Sequence, residues 1–192
     1  MIGKNILVFD QAESAGGSIQ HMVEMANAMP EIKFTIITFH QLSKLYEGPV
    51  GSNISAIRVF SFYNYQRKSW HIAMFRKYLT NREPILWMFQ KIQAVVDKCN
   101  EISLVVQILS KIFRTKIDLV QLNSNLHPIP LKISSIRKVP TIAIMRCKDE
   151  FGWWKQKDLD NIGKFISVSI ALQAHYLQSI KLPPETIKVI YP

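Results

Sequence analysis

Two adjacent glycines, Gly16 and Gly17, separate a short apolar run from an amphipathic segment near the start of the chain. A glycine turn between a strand and a helix lets a ligand approach the backbone, because no side chain stands in the way. The first N–H groups of the helix lack partners within it, and this favours an anion there. The pair is therefore a candidate for the phosphate-facing turn of a binding site. Because the full G-x-G-x-x-G pattern is absent, the two glycines alone favour a tight turn that only packs the helix on the sheet.

Four other residues, at or shortly after the ends of predicted strands, have side chains suited to a polar ligand. The amide of Asn123 can both donate and accept hydrogen bonds. Arg146 can pair with a phosphate, or with a neighbouring carboxylate in a surface salt bridge. Asp10 or Glu13 can act as a base toward a ligand hydroxyl, although solvated loop carboxylates are the simpler interpretation. The sequence singles out no catalytic residue, and we expect neither a metal site nor a cofactor.

Strands and helices alternate along the chain and set the positions of these residues. The apolar run Asn5 to Asp10 predicts the first strand, and the spacing of apolar residues predicts a helix from about Ser18 to Met29. Further strands are predicted at 34–39, 55–62, 117–124, 140–146, 164–169 and 187–191. Helices are predicted at 84–116, 126–138 and 170–180, the last with Ser169 as its N-cap.

This alternation predicts the α/β class. We expect a single Rossmann-like domain with an open, mostly parallel sheet of six to seven strands and helices on both faces. Ligands of such sheets bind at the carboxyl ends of the strands. We therefore expect the glycine turn, Asn123 and Arg146 at one edge of the sheet.

The helix predicted at 84–116 carries a long stripe of apolar residues. We expect most of the stripe to lie in the core, with a membrane-facing stripe as the alternative and a break near Asn100. Its members recur at helical spacing: Ile85, Met88, Phe89, Ile92, Val95, Val96, Cys99, Ile102, Val105, Val106, Leu109, Ile112 and Phe113.

The 192 residues include 24 basic and 14 acidic side chains, a formal net charge of +10 that implies an anionic partner. Residues 62–82 mix aromatic and basic side chains. Such a mixture suits a solvated basic face over a core, an anionic membrane surface or single-stranded nucleic acid. We expect no nucleic acid partner, since no RNA-binding module pattern is present. Two cysteines and no signal peptide favour a reduced, cytoplasmic setting.

Several motifs follow one another along the chain in an order that is found in a known protein family. They include Ala15-Gly16-Gly17, the small-residue stretch 25–29, the strand 117–124 and the segment "ISVSIALQAHYLQSIKLPPETIKVIYP". Together they resemble the family 4 glycosyltransferases, which have the GT-B fold. In that family the glycine turn faces a cleft close to the sugar-nucleotide diphosphate. This chain has Gln121 and Asn123 where histidines are common, so an acid–base role is lost there.

The resemblance covers residues 1–192 as one amino-terminal, acceptor-binding domain, with the carboxy-terminal nucleotide-sugar domain absent. It implies a retaining, hexosyltransferase-like enzyme that moves a sugar from a nucleotide sugar to a lipid-linked or polysaccharide acceptor. The isolated chain would be inactive, and the enzyme would work in the cytoplasm at the inner face of the cell membrane. Two alternatives are a non-catalytic basic α/β module at a membrane surface and a nucleotide-dependent enzyme of another doubly wound family.

Overall fold

A computed structural model describes residues 3–10, 17–60, 83–123, 128–146, 159–179 and 184–190. Seven strands form one sheet in the order β3-β2-β1-β4-β5-β6-β7, and every neighbouring pair is parallel. The predicted α/β class, the single sheet and the number of strands are therefore confirmed. The strands are β1 (Asn5–Asp10), β2 (Lys33–Thr38), β3 (Ile54–Arg58), β4 (Leu119–Asn123), β5 (Thr141–Met145), β6 (Lys164–Ser167) and β7 (Ile187–Val189).

The described helices connect the parallel strands. They are α1 (Gly17–Asn27), the single turn α2 (Leu42–Leu45), the long α3 (Glu83–Lys111), α4 (Pro128–Arg137) and α5 (Ile170–Ser179), with a short 3₁₀ turn at Pro184–Thr186. Ser169 caps α5 as predicted, since its Oγ accepts a hydrogen bond from the backbone N–H of Leu172 at 3.2 Å. Of the described helices, none is long and apolar enough to cross a membrane.

Helices cover both faces of the sheet, so the strands are apolar on both sides. On one face, Val8 of β1 and Ile36 of β2 pack in a cluster with Ile19, Met22 and Val23 of α1. On the other face, a cluster joins β1, β4, α3 and α4. Its buried members include Leu7, Val120, Leu104, Ile108, Ile112 and Ile133.

The carboxyl-terminal end of α1 is held by one asparagine from the turn before β3. The amide nitrogen of Asn53 lies 2.9 Å from the carbonyl oxygen of Ala26, 3.1 Å from that of Met29 and 2.9 Å from that of Ile32. Met29 and Ile32 follow the helix, and the carbonyls of Ala26 and Met29 also accept backbone hydrogen bonds at 3.1 Å from the N–H groups of Met29 and Ile32, so the amide adds a further donor to this turn. The contact fixes α1 relative to the sheet.

An ion-pair cluster ties α3 to α4. Glu101 of α3 pairs with Lys132 of α4 and, at 3.1 Å, with Lys98 of its own helix. Burial alone would raise the pKa of Glu101, but the hydrogen bonds and charges of the two lysines outweigh it and hold the pKa below its usual value. A depressed carboxyl pKa means that the contribution to stability is present above the unfolded value, near 4.3, and is lost as the pH falls through the folded value.

The long helix differs from its prediction in two respects. It runs unbroken through Asn100, whose side chain is buried, and it ends at Lys111. The prediction that most of the stripe lies in the core is wrong for much of the helix. The side of α3 that packs on the sheet is a different one, which carries Leu104 and Ile108. Both sides are apolar, and periodicity alone does not show which of them packs on the sheet. Six stripe residues are 41% to 62% exposed: Met88, Ile92, Val95, Val96, Ile102 and Val106.

Candidate functional site

The order of the strands reverses between β1 and β4. From β1 the sheet extends through β2 to β3, and from β4 it extends the other way through β5 to β7. Open parallel sheets bind ligands beside the carboxyl ends of the strands at such a reversal. Asp10 is the last residue of β1 and Asn123 the last of β4, and the two are direct neighbours in the ladder. The reversal point is therefore marked by a carboxylate and an amide.

Asp10 and Asn123 form a buried hydrogen-bonded pair. Nδ2 of Asn123 donates to Oδ2 of Asp10 at 2.6 Å. Asn123 is 0% exposed and Asp10 is 3% exposed. Hydrogen bonds to a charged acceptor are short and strong, and a buried carboxylate needs them to offset its lost hydration. The interpretation of Asp10 as a solvated loop carboxylate is therefore wrong. Asp10 still belongs to the strand, and the parallel register places it against Asn123.

Gly17 is the first residue of α1 and is exposed. A Cβ atom added at Gly17 would meet nothing within 4 Å, so the fold itself does not require a glycine at this position. The first turn of α1 contains no acidic residue, and the positive end of the helix dipole is not neutralised from within the helix. The start of α1 therefore combines open space with an electrostatic preference for an anion. Gly16, predicted with it, lies outside the described residues.

The start of α1 and the Asp10–Asn123 pair belong to the same face of the sheet. Val8 packs against Ile19 and Met22 of α1, and Asp10 follows Val8 at the strand repeat of two. Its ladder neighbour Asn123 shares that face. Gly17 at the start of α1 and the polar pair thus belong to the same face of the sheet at the carboxyl end of β1.

Arg146 directly follows β5 and is half-buried. Ile144 of β5 is the ladder neighbour of Asn123, and Arg146 follows two residues later, immediately beyond the end of the strand. A guanidinium there adds positive charge to the edge that also carries the start of α1. The roles of Gly17, Asn123 and Arg146 as ligand contacts stay predictions. Glu13 and the segments 11–16, 124–127 and 147–158 lie outside the described residues.

Gln121 lies one strand repeat below Asn123 and is 2% exposed. Within the part of the chain that the structure describes, its Nε2 has no hydrogen-bond partner. A buried donor without a partner is costly and is normally satisfied by water or by a ligand. The family resemblance drew attention to Gln121 as a replacement for histidine, but burial of its amide beneath the rim required the structure. No group of His, Cys, Asp and Glu among the described residues is arranged to hold a metal ion.

Comparison with known proteins finds similarity in structure alone. The sequence matches no protein-family model and no curated protein. The fold matches HepE from Anabaena, solved in complex with UDP and glucose, with a TM-score of 0.57 at 16% identity over 98% of this chain and 44% of that one. It also matches a glycosyltransferase from Rickettsia africae, with a TM-score of 0.59 at 17% identity over 98% of this chain and 43% of that one.

A third match is the UDP-GlcNAc 2-epimerase from Methanocaldococcus jannaschii, with a TM-score of 0.50 at 10% identity over 97% of this chain and 45% of that one. The chain therefore has a fold found in GT-B glycosyltransferases and in a sugar-nucleotide epimerase. It spans less than half the length of each of these proteins.

Proposed function

We propose that this chain is the amino-terminal, acceptor-side domain of a retaining glycosyltransferase of family 4. The whole enzyme would transfer a hexose from a nucleotide sugar to a lipid-linked or polysaccharide acceptor in cell-envelope synthesis. One observation carries the proposal. An unobstructed helix start at Gly17 shares a sheet face with a buried polar pair, at the reversal point of the strand order. The similar HepE was solved with UDP-glucose, a ligand with the charge that this corner favours.

Each part of the site would have a separate task. The N–H groups at the start of α1 would face the diphosphate, and Arg146 would add a positive charge beside it. Asn123 would contact a sugar hydroxyl from the rim, while Asp10 holds the orientation of its amide. None of these tasks is proton transfer, so the catalytic groups are expected in the other half of the enzyme or on the bound substrates. The mechanism proposed for this domain is positioning.

The proposed division of labour can be tested with the domain alone and with the enzyme that contains it. Residues 1–192 should bind no UDP-sugar with micromolar affinity in titration calorimetry, because the main nucleotide contacts would lie in the other half. The two-domain enzyme should transfer labelled sugar from a UDP-sugar to an acceptor. Micromolar binding by the domain would contradict the division, and conversion of the UDP-sugar to an isomer without transfer would assign the fold to an epimerase instead.

The alternative is a non-catalytic module at an anionic membrane surface, and the same surface contact is proposed for the enzyme itself. It is supported by the net charge of +10 and by the basic and aromatic composition of residues 62–82. Residues 1–192 should co-sediment with vesicles containing phosphatidylglycerol at low salt. They should be released at about 0.5 M salt, because the Debye length is already only about 10 Å at 0.1 M and falls further as salt is added. A chain that stays in the supernatant at low salt would contradict membrane contact.

A further inference from the structure

The exposed side of α3 has a regular sequence pattern. Its central residues follow alternating steps of four and three along the helix: Met88, Ile92, Val95, Cys99, Ile102 and Val106. This is the spacing of the a and d positions of a heptad repeat, whose average period of 3.5 residues keeps one seam facing a partner helix. At 1.5 Å per residue the seam is about 27 Å long. Five of the six side chains are 48% to 62% exposed, and Cys99 is an exposed free thiol.

The seam lies on the side of α3 that faces away from the sheet. Leu104 and Ile108 occupy the opposite side and are each 1% exposed. In the first half of the helix, Ala94 and Lys98 are exposed as well, so few of the side chains that the structure describes there are covered. A helix rich in valine and isoleucine has modest intrinsic helix propensity, and most helical stability in proteins comes from packing. This half of α3 therefore needs a packing partner.

The residues that flank the seam distinguish between partners. Lys91 and Lys98 occupy the g positions, while Val96 and Ser103 occupy the e positions. In a parallel pair of identical helices, g of one helix lies beside e of the other, so each lysine faces an uncharged residue. In an antiparallel pair, g lies beside g and the lysines would repel each other. Lys98 is also paired with Glu101 within its own helix. The flanks therefore tolerate a parallel second copy.

The exposed area is also sufficient for a dimer. Val, Ile and Met side chains at half exposure offer on the order of 100 Å² each, so the six seam residues together with Val96 present roughly 600 Å². Two such faces would bury about 1,200 Å² in total, which is the lower end of a standard interface, and each reaches the upper end of the largest apolar patch on a typical monomer. Because the seam and the sheet lie on opposite sides of α3, two paired helices would keep their domains apart.

We propose that two copies of this chain associate through a parallel coiled-coil seam formed by α3 from Met88 to Val106. The seam lies on a different element from the glycine turn and the Asp10–Asn123 pair, so it does not depend on the proposed function. Cys99 of both copies would meet at the same a position. Salt should strengthen this association, because it screens repulsion between two chains of charge +10 while leaving apolar contacts intact.

The test measures the mass of residues 1–192 by light scattering from 1 to 100 µM. We expect twice the 22.2 kDa of one chain at the upper concentrations. Val95→Glu should raise the dissociation constant by about 100-fold or more, because it puts a charge in the seam without touching the core. Ala94→Glu is the matched control, since it adds the same charge one residue earlier and outside the seam, and it should leave the dimer intact. A monomer at 100 µM, or a dimer insensitive to Val95→Glu, would overturn the proposal.

Cross-linking tests the arrangement without a change in the seam. In a Cys147→Ser chain, copper phenanthroline should oxidise the two Cys99 thiols of a parallel dimer to one disulfide, and a further Cys99→Ser change should abolish the product. A dimer that forms no Cys99 disulfide would exclude the parallel register. A chain that stays monomeric yet loses binding to anionic vesicles on Val95→Glu would assign the stripe to a membrane and overturn self-association.

Discussion

Replacing Gly17 with aspartate is expected to abolish sugar transfer by the enzyme that contains this domain, with kcat/KM falling by about 100-fold or more. The new carboxylate would occupy the start of α1, where the proposal places the diphosphate, and would repel its charge. Folding should not suffer, because an added Cβ meets nothing within 4 Å and an acidic residue in the first helical turn stabilises a helix by about 0.3–1 kcal/mol. Steady-state transfer assays and thermal unfolding measure the two effects separately.

Gly17→Asn and Gly17→Ala are the matched controls for this experiment. Asparagine has nearly the volume of aspartate but no charge, so it should retain far more activity if charge repulsion is the cause. Alanine adds only the methyl group for which the structure shows room, and the transfer rate should stay within a few-fold of the original. Normal turnover by the aspartate variant would count against a diphosphate at this helix.

Replacing Asn123 with leucine is expected to lower the free energy of unfolding by about 2–3 kcal/mol, since it removes the amide donor from the buried carboxylate of Asp10. For a domain of this size the midpoint of thermal unfolding should fall by about 4–12 °C. Urea unfolding followed by circular dichroism measures the free energy directly.

Asp10→Asn separates the hydrogen bond from the charge. An asparagine at position 10 still offers an oxygen to the amide of Asn123, so this variant should be more stable than Asn123→Leu. Leucine at both positions removes the polar groups together and should recover part of the loss. If Asn123→Leu changes the free energy by less than about 0.5 kcal/mol, the pair is not a stabilising contact.

The sequence predicted the sheet well because continuous apolar runs leave few alternatives. Asn5 to Asp10 was predicted as the first strand with the same bounds, and the all-parallel arrangement follows from helices placed between strands. The cap at Ser169 was predicted from one residue type at one position. Local chemistry decides each of these features, so a single sequence suffices.

The candidate site was less predictable because it depends on register between distant strands. Asp10 and Asn123 are 113 residues apart, and only the ladder between β1 and β4 shows that they are neighbours. The need for long-range information also explains why the apolar stripe of α3 was wrongly predicted to lie mostly in the core. Apolar residues recur on two sides of that helix, and only tertiary packing shows that the side with Leu104 contacts the sheet while the side with Val95 is exposed.

The side-chain amide of Asn53 donates hydrogen bonds at the end of α1 remote from Gly17. The acceptors are the carbonyls of Ala26, Met29 and Ile32. The helix is thereby anchored at its carboxyl-terminal end and by the core contacts of Ile19, Met22 and Val23, while Gly17 at its start is exposed. A substitution at the exposed start is therefore expected to leave the position of the helix on the sheet unchanged.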